Sequence, residues 1–225
     1  YSASNPTPKE MNEADMEDVL NDFVMAAARA DKAGFDMLEL HCAHGYLLNT
    51  FISPKTNIRS DDYGGSLENR LRYPLKVFET IREKWPEQKP ISVRISATDW
   101  IEEGITPQDA VEIARAFKNI GCDILDVSSG QVVSEEKPEY GRLFQLPFSD
   151  RIRLEAEIPT MTVGNIQSYA DANSIIASGR GDICVIARMH LFDPYWTRHA
   201  ANQLNYHLNM PNQYKSVQNY TPRWT

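Results

Sequence analysis

The sequence predicts an α/β fold in which parallel strands alternate with covering helices, of the (β/α)8 barrel kind rather than an open doubly wound sheet. Three observations carry that prediction. An amphipathic helix, then Gly close before Asp, then a short apolar strand recurs as "AARADKAGFDMLELH", "ARAFKNIGCDILDVSSG" and "NSIIASGRGDICVIAR". The strands are almost wholly apolar, as strands covered by helices in a parallel sheet are. Polar groups gather where those strands end, the face on which such barrels place their sites. Neither GxGxxG after a strand nor a P-loop supports a nucleotide-binding doubly wound fold.

Taken in order, Asn12 starts the first helix, with Met16, Val19, Leu20 and Phe23 recurring at helical spacing. A strand follows near Met37, and "ISVRIS" is the second. Thr106 caps the next helix, Pro107 suits its first turn and Asp109 its third position, while Gly121 ends it. Val111, Ala114, Phe117 and Ile120 fall on one face of that helix. Further strands begin near Ile124, in "PTMTV" and near Ile183. That makes five strands, where a barrel has eight and about 250 residues. Residues 1–205 are therefore expected to supply five βα units, with the first three lying before residue 1. Residues 206–225, polar and carrying Pro211 and Pro222, are expected to run as a surface tail.

Composition narrows the function. The chain of 225 residues is 42% hydrophobic and 24% charged, and 23 basic against 31 acidic residues leave a formal charge of −8. That balance speaks against nucleic-acid and anionic-membrane partners. No apolar run reaches the roughly 20 residues that span a bilayer, and "YSASNPTPKEMNEADM" lacks a signal-peptide pattern. Cys42, Cys122 and Cys184 are odd in number, far apart and without C-x-x-C. They are expected to be buried free thiols of a cytoplasmic protein.

The strand ends hold the candidate chemistry. They are His41, His44 and Tyr46; Arg94, Ser96, Thr98, Asp99 and Trp100; Ser128, Ser129 and Gly130; Gly164 and Asn165; and Arg188. Arg94 interrupts a strand that should be dry, so its permanent charge needs either an anionic ligand or a neighbouring carboxylate such as Asp99 or Asp126. Both readings stay open on the residues alone. His-x-x-His at a strand end lacks the four-residue helical spacing of zinc motifs. Two neutral imidazoles can instead offer N–H groups to one developing oxyanion, with the Tyr46 phenol at the same mouth.

The stretch "HCAHGYLLNTFISPKTNIRSDDYGGSLENRLRYPLKVF" resembles the old yellow enzyme family of FMN-dependent oxidoreductases, and the likeness continues through "SVRISATDW", "DILDVSSG", "TVGNI" and "ARMHLFDP". The resemblance implies a TIM barrel of the FMN-linked type, of which this chain is the C-terminal five units. It implies FMN as cofactor, NADH or NADPH as reductant, and hydride transfer to an activated C=C of a carbonyl compound. His41 and His44 then match the pair that binds the substrate carbonyl beside the flavin, and Tyr46 the proton donor. Arg94 matches the arginine facing flavin N1 and the C2 oxygen. Gly164, Ala187 and Arg188 match the phosphate-binding ends of the last two strands. Within the family, "LRYPLKVF", "YGRLFQLPFSD", "NSIIASGRGD" and "DPYWTRHAANQL" are similar to the reductase portion of bifunctional salicylyl-CoA 5-hydroxylase and 2-aminobenzoyl-CoA monooxygenase/reductase proteins. That likeness implies an aromatic acyl-CoA substrate and a fused monooxygenase part.

Other segments read more plainly. Arg59, Asp61, Tyr63, Glu68 and Arg70 are expected to form a buried polar network that stiffens the loop after the first strand. "SSGQVVSEEKPEYGRLFQLPF" is long for a loop and reads as a lid, with Tyr140 and Arg142 as substrate contacts. Arg223 in "PRWT" matches an arginine that some relatives place in a neighbouring subunit, which implies a homo-oligomer. Ala187 departs from the family's usual glycine. The absent N-terminal half, which supplies further flavin contacts, leaves a second reading: a non-catalytic assembly piece whose open edges pair with another chain. A third is a metal-using barrel built on His41 and His44.

Overall fold

The computed structural model describes residues 6–218 and 220. Its elements run α1 (Glu13–Lys32), β1 (Leu38–Cys42), α2 (Leu47–Ile52), α3 (Leu67–Lys84), β2 (Ile91–Ser96), α4 (Pro107–Asn119), β3 (Ile124–Ser128), α5 (Leu146–Glu155), β4 (Thr160–Val163), α6 (Tyr169–Ala177), β5 (Ile183–Val185), α7 (Arg188–Phe192) and α8 (Trp196–Gln203). A 3-10 turn, Asn212–Val217, follows. The five strands are all parallel and lie in chain order, β1-β2-β3-β4-β5. Crossovers of one hand that never reverse direction leave the helices on one face, the winding of a barrel.

Register separates two chemistries. Leu40, Val93, Leu125 and Thr160 are successive partners across the sheet, and all four are buried. The three apolar members belong to the core formed with Val77 and Phe78 of α3 and Val111, Ala114 and Phe117 of α4. One residue further along each strand the side chains point to the other face. That face carries the row His41, Arg94, Asp126, Met161 and Ile183.

The helix starts follow their capping chemistry. Asn12 and Asp15 close a capping box on α1, as Thr106 and Asp109 do on α4, where Pro107 occupies the first turn. Gly121, at φ +92°, terminates α4 in the left-handed conformation that glycine tolerates. The segment expected to be a loop network is in part a helix. Ser66 caps α3, and Pro74 sits inside it, a residue that ordinarily signals a break. The network itself forms around buried backbone carbonyls. Arg70 donates through Nε to Ile52 O at 2.7 Å and through Nη1 to Gly65 O. Asn57 Nδ2 donates to Phe51 O and Tyr63 O, both at 2.7 Å, and Arg59 Nη1 to Met11 O at 2.8 Å. Glu68, expected within it, is instead exposed on the first turn of α3.

Two expectations about burial are modified. β5 is an edge strand, so Ile183 is exposed, as are Leu191 and Phe192 of α7. Cys42 and Cys122 are buried free thiols, with burial pushing Cys122 up to about 12, but Cys184 on the edge strand is only half-buried. After α8 the chain is mostly exposed, held by Arg198 Nη2 donating to Val217 O at 3.0 Å. Arg223 lies outside the described residues. Among the described residues no helix is long and apolar enough to cross a membrane.

Candidate active site

The site begins where β1 ends. His41 points to the polar face, and the chain then reverses through His44 and Gly45, both left-handed at φ +60° and +69°. A glycine is required at 45, because an added Cβ would lie 2.9 Å from Gln131 O in the loop after β3. The turn is pinned by His44 N donating to Ser96 Oγ at 3.0 Å and by Gly45 N donating to Asn49 Oδ1 at 2.8 Å. It stacks the His41 ring 5.2 Å from the His44 ring and, edge-on, 5.2 Å from the Tyr46 ring. The three residues singled out from "HCAHGY" thus form one cluster, with Tyr46 the solvent-facing member at 64% exposure.

Beneath the cluster, Arg94 is the register partner of both His41 and Asp126. Its Nη1 lies 3.4 Å from Asp126 Oδ2, while Arg94 Nε and Asp126 Oδ1 are buried with no hydrogen-bond partner. Of the two carboxylates weighed from sequence, Asp126 is therefore the paired one. Asp99 is held elsewhere, accepting from Ser53 Oγ at 2.6 Å and Ile105 N at 2.8 Å. Burial, the Arg94 charge and the neighbouring His41 drive His44 down to about 4, and burial and Arg94 also lower His41. Both imidazoles are therefore neutral near pH 7. Asp126 is pushed up to about 6 because burial, reinforced by Glu39, outweighs the opposing pull of Arg94.

The far wall is tied to the histidines by a buried glutamine. His44 Nε2 lies 2.7 Å from Ser128 Oγ at the end of β3. Ser128 and Ser129 donate to Gln145 Oε1 at 3.3 and 2.6 Å, and Gln145 Nε2 donates to Val163 O at 3.1 Å. An added Cβ on Gly164, at φ +118°, would meet that same Nε2 at 2.8 Å. Gln145 carried no signal in the sequence, since its partners are contributed by the end of β3 and by β4.

These elements enclose an open cavity of about 1000 Å³, lined by His44, Arg94, Tyr140, Gly164, Ala187 and Arg188 among others. His41 and Tyr46 stand beside His44 without lining it. Arg142, read as a substrate contact, turns instead to Asp171, with Nε donating to its Oδ1 at 2.7 Å. Trp100, also on the cavity wall, holds a second buried donor without a partner, Nε1. The unclaimed Arg94 and Trp100 donors fit a planar, acceptor-rich group. Among the described residues no three His, Cys, Asp or Glu side chains come together as a metal site.

Comparison with known proteins gives consistent likenesses. Residues 1–207 match the profile of the family described as "NADH:flavin oxidoreductase / NADH oxidase family". The NADPH dehydrogenase of Geobacillus thermodenitrificans (strain NG80-2) is 44% identical over 215 residues, covering 96% of this chain and 62% of the relative. That of Bacillus subtilis (strain 168) is 38% identical, covering 96% of this chain and 63% of the relative. The chain therefore spans less than two thirds of the length of these relatives. Among solved structures, a 2-naphthoyl-CoA reductase complexed with 2-naphthoyl-CoA superposes at TM-score 0.80 with 27% identity, covering 87% of this chain and 30% of that one. Morphinone reductase in complex with tetrahydroNAD gives TM-score 0.72 and 25% identity, covering 92% of this chain and 54% of that one. The five βα units correspond to the C-terminal part of such a barrel.

Proposed function

We propose, because the chain belongs to the NADH:flavin oxidoreductase / NADH oxidase family, that it is the catalytic C-terminal part of an FMN-dependent NAD(P)H oxidoreductase of old yellow enzyme type. The observation that carries this reading is the stack of His41, His44 and Tyr46 above a guanidinium whose donors are largely unclaimed. Names of the relatives favour NADPH as reductant.

Bound FMN would carry hydride between the nicotinamide and the β-carbon of an alkene conjugated to a carbonyl. The chain's own residues do the rest. His41 and His44, held neutral, give N–H groups to the carbonyl oxygen as it gains charge, the single N–H of His44 being shared between that oxygen and Ser128 Oγ. Tyr46 delivers a proton to the α-carbon from the solvent side, where its exposure lets it be reprotonated. With FMN bound, Arg94 would meet its N1 and C2 oxygen edge, and Gly164, Ala187 and Arg188 would hold its phosphate. Tyr140 closes over the substrate. The finer reading of an aromatic acyl-CoA substrate is supported by the sequence likeness and by the 2-naphthoyl-CoA-bound neighbour, and that of a fused monooxygenase part by the sequence likeness alone.

Addition of FMN to the purified chain, followed by its visible spectrum, tests the reading. A shifted, resolved flavin band that is lost in Arg94→Ala supports it. Free-flavin spectra with this chain and with an upstream-extended form would sink it. A second reading rests on the exposed β5 edge with Ile183, Leu191 and Phe192, which suits a non-catalytic assembly piece. A discrete higher solution mass without flavin would favour that alternative.

A further inference from the structure

One charged side chain in this site has no role in the mechanism above. Asp126 projects from β3 onto the polar face directly beside Arg94, the two being register partners on neighbouring strands. It is 2% exposed, one oxygen reaches Arg94 Nη1 at 3.4 Å, and the other has no partner. By contrast, Glu39 of β1, on the same face but exposed, accepts from Ser92 Oγ at 2.9 Å. A carboxylate buried this fully on the cavity side of the sheet is costly unless its charge is used. A hydrophobic residue would fill the same space, as Met161 does at the next position of the row.

We propose that Asp126 is a positioning residue for Arg94: it orients the guanidinium and offsets part of its charge where it meets the flavin's N1 and C2 oxygen edge. The proposal rests on the FMN reading given above. Charge at that edge grows when the flavin is reduced, so an unopposed Arg94 would favour the reduced form. With Asp126 ionised, the pair is close to neutral and the preference is tempered. With Asp126 protonated, the full guanidinium charge acts. Asp126 is pushed up to about 6 by its burial, so the transition falls within an accessible pH range.

The other groups facing Asp126 are retained in Asp126→Asn, so their own titration cancels in the comparison of the two proteins. Arg94 on β2 keeps its charge throughout. From β1, Glu39 adds negative charge, while His41 is lowered and His44 lies at about 4. From β4 the register partner is Met161, which does not titrate.

The test is the midpoint potential of the FMN-loaded protein against pH, for wild type and Asp126→Asn, with imidazole titration by NMR on the flavin-free forms. At pH 8 the variant should show a higher potential, equivalent to about tenfold tighter relative binding of reduced over oxidised FMN, since a factor of ten corresponds to one unit of pKa. The two curves should converge below pH 6. In the flavin-free variant His41 should titrate lower than in wild type, because Arg94 acts on it unopposed. Coincident potential curves with FMN bound would overturn the proposal and leave the flavin reading intact. Failure of both this chain and its upstream-extended form to bind FMN would overturn both. If Asp126→Asn does not fold, the wild-type curve is read against that of Asp126→Glu. A steeper rise in potential below pH 6 than Asp126→Glu gives supports the role, and a matching slope overturns it.

Discussion

Nε2 of His44 lies 2.7 Å from Oγ of Ser128, a hydrogen bond that joins the ends of β1 and β3 across 84 residues of chain. Gln145 explains its polarity. Its amide nitrogen donates to Val163 O, so its oxygen faces the two serines and takes their protons. The network thereby assigns the Nε2–H tautomer to His44, with Ser128 Oγ accepting.

Ser128→Ala should free the His44 ring to rotate and weaken binding of a phenol, an enolate mimic, by about fivefold, the worth of one hydrogen bond of about 1 kcal/mol. Phenol titration of the flavin charge-transfer band measures it. Tighter binding in the variant would mean that Ser128 competes with the ligand for that N–H.

The histidine also ties stability to pH. His44 lies at about 4 when folded against an ordinary value of 6.5. The unfolded chain therefore binds more protons between those values, and stability is lost as pH falls through that window. Asp126, raised to about 6, acts with the opposite sign, so the comparison must be between wild type and His44→Asn. Urea denaturation at pH 7 and pH 4.5 should show wild type losing about 1 kcal/mol more than the variant, after allowance for partial exposure. Equal losses would refute the assignment.

Gly164 combines φ +118° with an approach of 2.8 Å between an added Cβ and Gln145 Nε2. Gly164→Ala should destabilise the chain by about 1–3 kcal/mol. It should also disturb FMN binding, because the displaced Gln145 lies on the same wall. An unchanged denaturation midpoint would show that Gln145 has room to yield.

Arg142 gives a prediction of the opposite kind. Its guanidinium is bound to Asp171, and it does not line the cavity. Arg142→Ala should leave phenol affinity unchanged, whereas Tyr140→Ala should lower it. Loss of affinity in the arginine variant would show that the pair opens when a ligand arrives.

The core is the most predictable part. Phe117 is fully buried, with its ring 5.7 Å edge-on from Phe78. Phe117→Ala should cost about 3–5 kcal/mol, read from denaturant unfolding. A cost below about 1 kcal/mol would mean that the packing between α3 and α4 collapses into the gap.

What the sequence determines by itself is whatever local chemistry decides. Asn12 and Thr106 cap their helices because the partners, Asp15 and Asp109, lie three residues away. The five strands announce themselves because continuous apolar runs have no other place to go. His41, His44 and Tyr46 are close in the chain, and a single turn brings their rings together. Helix α3 was hidden because Pro74 carries a local signal that burial of Tyr73, Val77 and Phe78 overrides. Only the tertiary structure decided which carboxylate Arg94 meets, where Arg142 points, and that Gln145 ties the ends of β3 and β4 together. Those choices depend on strand register, which sets residues tens of positions apart beside one another, and no short-range pattern encodes it.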